Sequence, residues 1–326
     1  MEAGLSIHRL LFTIHAPEVL MNVEWMRGCA TALVTPFKSD GGVDFERMRA
    51  LVKRQCERGV RLLVPCGTTG ESMTMSEDEN RRVISATVEV ARQHGARVIA
   101  GAGSNSTAHA VSNARAAQAA GADAVLVVAP YYNKPTQEGL FQHFRAVASA
   151  VAPLPVVLYN VPGRTSSNIA AETTLRLARE IENVAAVKEA SGNLAQIMVI
   201  IRNRPEDFLV LSGDDAMTFA LMALGADGLV SVASNEAPGP LSRMVDAALA
   251  GRWDEARELH YHWLPLMDVN FVESSPGPVK AAMALMGLLE ENLRLPLVPV
   301  TEKTRSRVRE VLAELELLGE STHVAA

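Results

Sequence analysis

The sequence predicts an α/β chain folded as a (β/α)8 TIM barrel with a C-terminal helical appendage. Eight short runs rich in Val, Ile, Leu and Ala alternate with longer amphipathic stretches over residues 25–251. Most of these runs are continuously apolar, the pattern of strands buried on both faces by crossover helices. Gly59, Gly95, Gly121 and Gly225 each stand after a helical stretch and before a strand, where a left-handed residue ends a helix. Eight such units in succession close into a barrel.

The apolar runs are Cys29 to Val34, Arg61 to Pro65, Arg97 to Ala100, Ala124 to Ala129, Pro155 to Leu158, Val184 to Val187, Phe208 to Leu211 and Gly228 to Val232. Between them, Phe45 to Glu57, Glu77 to Gln93, Thr107 to Ala120 and Gln137 to Val151 carry apolar residues at helical spacing. From Asp254 the signal is helical only: Asp254 to Met267, Pro278 to Glu291 and Glu302 to Leu318. Three regions are therefore expected: a loose extension over 1–24, the barrel over 25–251 and a helical region over 252–326. No Gly-, Ser- or Pro-rich linker separates the last two, so they are expected to pack together. The apolar stretch Leu10 to Ile14 is short and no small-residue cleavage site follows it, which argues against a secretory signal; Met21 or Met26 is an alternative start.

Composition narrows the function classes. The chain has 326 residues, 48% of them hydrophobic, with a formal net charge of -6. No apolar stretch reaches the roughly 18 residues a membrane span needs, and no basic run suggests a nucleic-acid surface. A small-molecule partner is expected. Cys29, Cys56 and Cys66 form no CxxC pair, so neither a disulfide framework nor a zinc cage is signalled, and a reducing cytoplasm fits best. Cys66, just before a Gly-Thr-Thr-Gly turn, reads as a small buried filler rather than a reactive thiol.

Barrel active sites form where the strands end. Strand two closes on Gly67-Thr68-Thr69-Gly70-Glu71-Ser72, strand four on Pro130-Tyr131-Tyr132-Asn133, strand five on Tyr159-Asn160-Val161-Pro162-Gly163-Arg164-Thr165, strand six on Lys188 and strand seven on Gly213-Asp214-Asp215. A lysine at a strand end often snorkels to solvent; beside phenols, hydroxyls and a guanidinium it acquires chemistry. A desolvated amine attacks a carbonyl to give a Schiff base. Tyr159 and Thr68 are candidates to pass the protons of carbinolamine formation and dehydration. Thr69 and the turn's N–H groups suit one carboxylate, and Arg164 offers a fork for a second. These roles imply a keto acid and an acidic second substrate. Asp214 and Asp215 read as a strand end and helix cap rather than a metal pair. His260 and His262, two apart, face different sides of a helix, and Gly101-Ala-Gly103 lacks the third glycine of a dinucleotide loop.

With these segments, and with Val187-Lys-Glu-Ala-Ser-Gly192, Leu211-Ser-Gly-Asp-Asp215 and Phe271-Val-Glu-Ser-Ser-Pro-Gly-Pro-Val-Lys280, the chain resembles the family of dihydrodipicolinate synthase and N-acetylneuraminate lyase, the pyruvate-dependent class I aldolases. The resemblance runs from about Gly28 to about Val300. It implies that Lys188 forms the Schiff base with pyruvate, with no added cofactor and no metal. Tyr159, Thr68 and Tyr132 would form the proton relay, Tyr132 reaching in from a neighbouring subunit. Thr69 would hold the pyruvate carboxylate and Arg164 the carboxylate of L-aspartate-4-semialdehyde, with Gly213 and Val230 contributing backbone. The product would be 4-hydroxy-tetrahydrodipicolinate, an intermediate of lysine and diaminopimelate biosynthesis, and the assembly a homotetramer built as a dimer of dimers. The alternative within the family is an aldolase for N-acetylneuraminate or a 2-keto-3-deoxy sugar acid, against which the second guanidinium site at Arg164 speaks. Lysine-inhibited members use a dimer-interface site; Ser72, Asn105 and Tyr131 match it, but Asn80 and His109 replace a histidine and a glutamate. A lost charge-assisted contact of roughly 1.5–3 kcal/mol weakens binding about ten- to a hundred-fold, so weak or absent inhibition by L-lysine is expected.

Overall fold

A computed structural model describes residues 22–318. Eight strands, β1 (Gly28–Ala32), β2 (Leu62–Val64), β3 (Arg97–Gly101), β4 (Ala124–Val128), β5 (Val156–Asn160), β6 (Val184–Glu189), β7 (Leu209–Ser212) and β8 (Gly228–Ser231), pair in chain order and close on themselves. Every neighbouring pair, including β1 with β8, is parallel. The crossovers are α1 (Phe45–Glu57), α2 (Glu77–Gln93), α3 (Thr107–Ala119), α4 (Gln137–Val151), the short α5 (Pro162–Thr165), α6 (Ala171–Glu180), α7 (Leu194–Asn203) and α8 (Thr218–Ala223). After β8 come α9 (Pro238–Leu249), α10 (Trp253–Val269), α11 (Gly277–Leu285) and α12 (Glu302–Glu314).

Local chemistry explains the boundaries. The helix starts carry side-chain caps: Asp44, Ser76, Ser106, Thr136, Asn193 and Thr301 each accept a hydrogen bond from an N–H in the first turn. Ser76 and Glu79 form a reciprocal capping box on α2. The four helix-ending glycines all take positive φ, between 67° and 103°, as their spacing predicts. Two helices end well short of expectation. The stretch read as one helix to Glu291 stops at Leu285, with Gly287 left-handed behind it, and the last helix stops at Glu314, before left-handed Glu316.

Strand periodicity divides the core in two. Ala30, Leu62, Ile99, Leu126, Val157, Ala186, Leu209 and Val230 fill the barrel interior, while the alternate residues pack against the helix layer. Val23 and Met26, 2% and 0% exposed, belong to the interior cluster and sit just before β1. Among the described residues the interior cluster thus reaches back to Val23, within the stretch read as the extension; residues 1–21 of that stretch lie outside the described residues. The helical region is continuous with the barrel, as expected: α10 packs on α9, and Arg47 of α1 donates to the Leu288 carbonyl at 3.1 Å.

Candidate active site

Lys188 lies within β6 rather than after it, and the pleat decides where it points. Ala186 faces the interior, so Lys188 two residues on faces inward and Glu189 faces the helices. On β5 the same alternation runs from Val157 to Tyr159. The register pairs Tyr159 with Lys188 and Asn160 with Glu189. Two inward cross-strand partners meet: Lys188 Nζ stands 4.2 Å from the centre of the Tyr159 ring, with Lys188 and Tyr159 each 6% exposed. Gly213, at the end of β7, makes room for the lysine stem. A Cβ there would lie 2.9 Å from Lys188 Cε and 2.8 Å from Ala190 Cβ, and the Gly213 N–H continues the ladder by donating to the Glu189 carbonyl at 2.8 Å.

Tyr159 also lines a cavity of about 350 Å³ at the C-terminal mouth, together with Gly67, Thr68, Tyr131 and Arg164. Thr68 is exposed at its rim, whereas Thr69 is buried at 6% exposure beneath the turn. The turn is held by Glu71 N–H donating to the Thr68 carbonyl at 3.1 Å and by the Thr35 hydroxyl donating to the Gly70 carbonyl at 2.7 Å. Arg164 stands exposed on α5, a single turn opened by Pro162. The structure therefore gathers Thr68, Tyr159 and Arg164 on one cavity, links Lys188 to it through Tyr159, and places Val230 in the barrel's interior cluster. Tyr132 stands apart: it is 87% exposed, at φ 74°, with its N–H donating to the Thr165 carbonyl at 3.3 Å.

Of the residues matched to lysine inhibition, Ser72, Asn80 and Tyr131 line the same cavity. Asn80 is turned inward, donating to the Ser72 carbonyl at 3.1 Å and leaving its buried Oδ1 without a hydrogen bond. Asn105 and His109 lie at the start of α3 and are not among the residues lining that cavity; His109 is exposed.

Several site residues escaped sequence reasoning. Glu189, 1% exposed, accepts from Asn160 Nδ2 at 3.1 and 3.2 Å, from Ser191 N–H at 2.9 Å and from Gln196 Nε2 at 3.2 Å. Burial pushes its carboxyl above the ordinary range, opposed by these donors. Asn160 in turn accepts from Ile169 N–H at 2.9 Å, so the loop carrying Arg164 is latched to the strand carrying Lys188. The signal was the Asn and Glu that follow Tyr159 and Lys188 at equal spacing on neighbouring strands. The Asp-Asp pair also has a use the sequence did not reveal. Asp214 accepts from Met217 N–H at 3.3 Å near the start of α8, as a cap would, whereas Asp215 is 2% exposed and accepts from Ser231 Oγ at 2.5 Å and Val232 N–H at 2.9 Å, tying β7 to the end of β8.

The remaining nucleophiles and metal candidates are structural. Burial pushes the Cys66 thiol well above its ordinary value, with Sγ 3.5 Å from the Asn80 carbonyl. His260 stacks on Phe219. Among the described residues no three His, Cys, Asp or Glu side chains are grouped to hold a metal ion, and no helix is long and apolar enough to cross a membrane.

The Dihydrodipicolinate synthetase family model matches residues 25–315. The chain belongs to the dihydrodipicolinate synthetase family. Within that family it is 57% identical over 299 residues to the 4-hydroxy-tetrahydrodipicolinate synthase of Koribacter versatilis (strain Ellin345), covering 91% of this chain and 98% of the relative. The dihydrodipicolinate synthase of Thermotoga maritima superposes with a TM-score of 0.87 at 46% identity, over 90% of this chain and 99% of that one. The chloride-inhibited enzyme of Acinetobacter baumannii, solved complexed with pyruvate, superposes with a TM-score of 0.87 at 42% identity, over 89% and 99%. The strand-end residues that carry the resemblance are therefore those of a member of the dihydrodipicolinate synthetase family, on its barrel.

Proposed function

We propose that this chain is a Schiff-base lyase that condenses pyruvate with L-aspartate-4-semialdehyde to give 4-hydroxy-tetrahydrodipicolinate, with no cofactor beyond its own Lys188. The observation that carries the reading is the buried Lys188 amine against Tyr159, which itself lines a cavity that also presents Thr68 and Arg164. The Lys188 amine attacks pyruvate C2, the carbinolamine loses water, and loss of a methyl proton leaves an enamine. Its C3 attacks the aldehyde carbon, and the substrate's own amino group then closes on C2 and releases Lys188. One water leaves over the cycle. Tyr159 and Thr68 pass the protons, Thr69 and its turn hold the pyruvate carboxylate, and Arg164 holds the other carboxylate. Gly213 makes room for the lysine stem, and Gly213 and Val230 contribute backbone to the pocket. The product serves lysine and diaminopimelate synthesis. Three buried free cysteines, Cys29, Cys56 and Cys66, support a cytoplasmic setting.

The working assembly is a homotetramer, a dimer of dimers. Exposed apolar side chains support it: Tyr132 and Met73 are 87% and 67% exposed, and Leu194, Met198 and Val199 of α7 and Leu224 after α8 are exposed at 39–45%. Tyr132 completes the relay of the neighbouring copy. The absence of a carboxylate at His109 and the inward turn of Asn80 support weak lysine inhibition; half-inhibition below millimolar L-lysine would overturn that expectation.

The test is a coupled assay of purified protein with pyruvate, L-aspartate-4-semialdehyde and excess dihydrodipicolinate reductase, following NADPH loss beside Lys188→Ala. Turnover by the wild type alone, with borohydride trapping pyruvate on Lys188, is expected. A silent wild type that cleaves a 2-keto-3-deoxy sugar acid would replace the substrate assignment.

A further inference from the structure

Glu71 ends the turn that carries Thr68 and Thr69, and its side chain is buried in an ion pair with Lys280 of α11, both side chains 0% exposed. The partners lie 209 residues apart. Lys280 Nζ also donates to the Asn292 carbonyl at 2.8 Å and stands 4.3 Å from the centre of the Phe37 ring. The second Glu71 oxygen accepts from the Arg294 backbone N–H at 3.2 Å. The Arg294 guanidinium donates to the Thr74 carbonyl at 3.0 Å and to Glu79 at 2.6 and 2.9 Å. Each oxygen of Glu71 is thus taken by a donor from a different part of the C-terminal region.

A buried ion pair is poor value as a source of stability, because desolvating two charges offsets most of their attraction and an apolar pair of similar volume serves as well. What it supplies is direction. Glu71 has a left-handed backbone, φ 53°, as does Cys66 at the other end of the turn, φ 56°. These are conformations that side-chain-bearing residues adopt only when their surroundings enforce them. Lys280 is no second Schiff-base amine, since Glu71, Asn292 and Phe37 occupy its surroundings. Lys188 and Arg164 stand on β6 and α5 and make no contact with this cage through any of the bonds above.

We propose that Glu71, Lys280 and Arg294 are positioning residues that hold the Thr68–Thr69 turn in register with the Lys188-bound keto acid, so that the C-terminal helical region forms part of the catalytic apparatus. The proposal rests on the pyruvate reading. It places the effect on the keto-acid half of the reaction and spares the half that Arg164 serves.

The test is the double variant Glu71→Leu/Lys280→Met, which removes both charges at once. Thermal melts and circular dichroism check folding. We expect kcat to fall about tenfold or more, KM for pyruvate to rise about fivefold or more, and KM for the semialdehyde to stay within about twofold. Both KM values rising by one factor, or kcat and pyruvate KM within about twofold of wild type, would overturn the proposal. If the double variant does not fold, Glu71→Gln, of nearly the same size, is judged by the same split in KM. The pyruvate concentration giving half-maximal borohydride trapping is read in parallel. Wild-type protein that traps pyruvate but does not turn over the semialdehyde would sink the second-substrate assignment alone, and the trapping ratio would still decide the positioning role.

Discussion

At the scale of single residues, the site depends on where an amine is allowed to stand. Lys188 reaches its position because residue 213 has no side chain, and its surroundings are apolar because β6 offers only Val and Ala before it. Gly213→Ala puts a methyl group into the space of the lysine stem. A displacement near 1 Å at a reacting group can lower a rate by about a hundredfold. We therefore expect Gly213→Ala to remain folded while kcat drops by about that factor and pyruvate trapping slows; kcat within about threefold of wild type would refute this account. The lysine was legible in the sequence as an anomaly in an apolar run. Its partnership with Tyr159 was legible only as a shared rim, because the register that makes them neighbours is a property of two paired strands.

At the scale of elements, polar latches between neighbouring units fix the loops that carry the chemistry. Asn160 and Glu189 join β5 to β6, and Asp215 joins β7 to β8. His143 of α4 makes a similar link to α3, with Nδ1 3.0 Å from Thr107 Oγ1, while its buried Nε2 has no hydrogen bond. Burial pulls its pKa down to about 4. The folded state therefore binds fewer protons than the unfolded state between pH 6.5 and about 4. Stability from this group is complete above pH 6.5 and is lost as pH falls toward 4, by up to roughly 3 kcal/mol. Melting temperatures should accordingly fall less between pH 7 and pH 4.5 in His143→Gln than in the wild type, and parallel curves would argue against His143 as the source. None of these latches stood out in the sequence. Asn, Asp and Glu near strand ends read as ordinary loop chemistry until their partners are known.

At the scale of the whole molecule, the proposed role of the exposed Tyr132 would tie catalysis to assembly. A tyrosine at positive φ, exposed and outside the lining of its own cavity, is useful when a second copy receives it. Equimolar mixing of Tyr132→Ala with Lys188→Ala, each inactive alone, gives mixed dimers with one site that holds both residues. Random pairing then restores roughly a quarter of wild-type activity in the coupled assay. No recovery after verified subunit exchange would place Tyr132 outside the neighbour's site. The C-terminal helices show the same dependence on the whole: they carry no motif for chemistry, yet Lys280 and Arg294 close around the end of the Thr68–Thr69 turn.

Periodicity, helix-ending glycines and the residues at strand ends were sufficient for the barrel and for singling out Thr68, Tyr159 and Arg164, which share one cavity, and Lys188, which lies against Tyr159. These are local properties, written in spacings of two and 3.6 residues and in side-chain chemistry. The tertiary structure decided which strand ends face one another, that Asn80 turns inward, that Val23 and Met26 stop the barrel floor, and that Glu71 finds Lys280. Those outcomes depend on register, closure and contacts between distant segments. Sequence spacing does not encode them because the cost of leaving a buried charge unpaired is set by neighbours that only folding brings together.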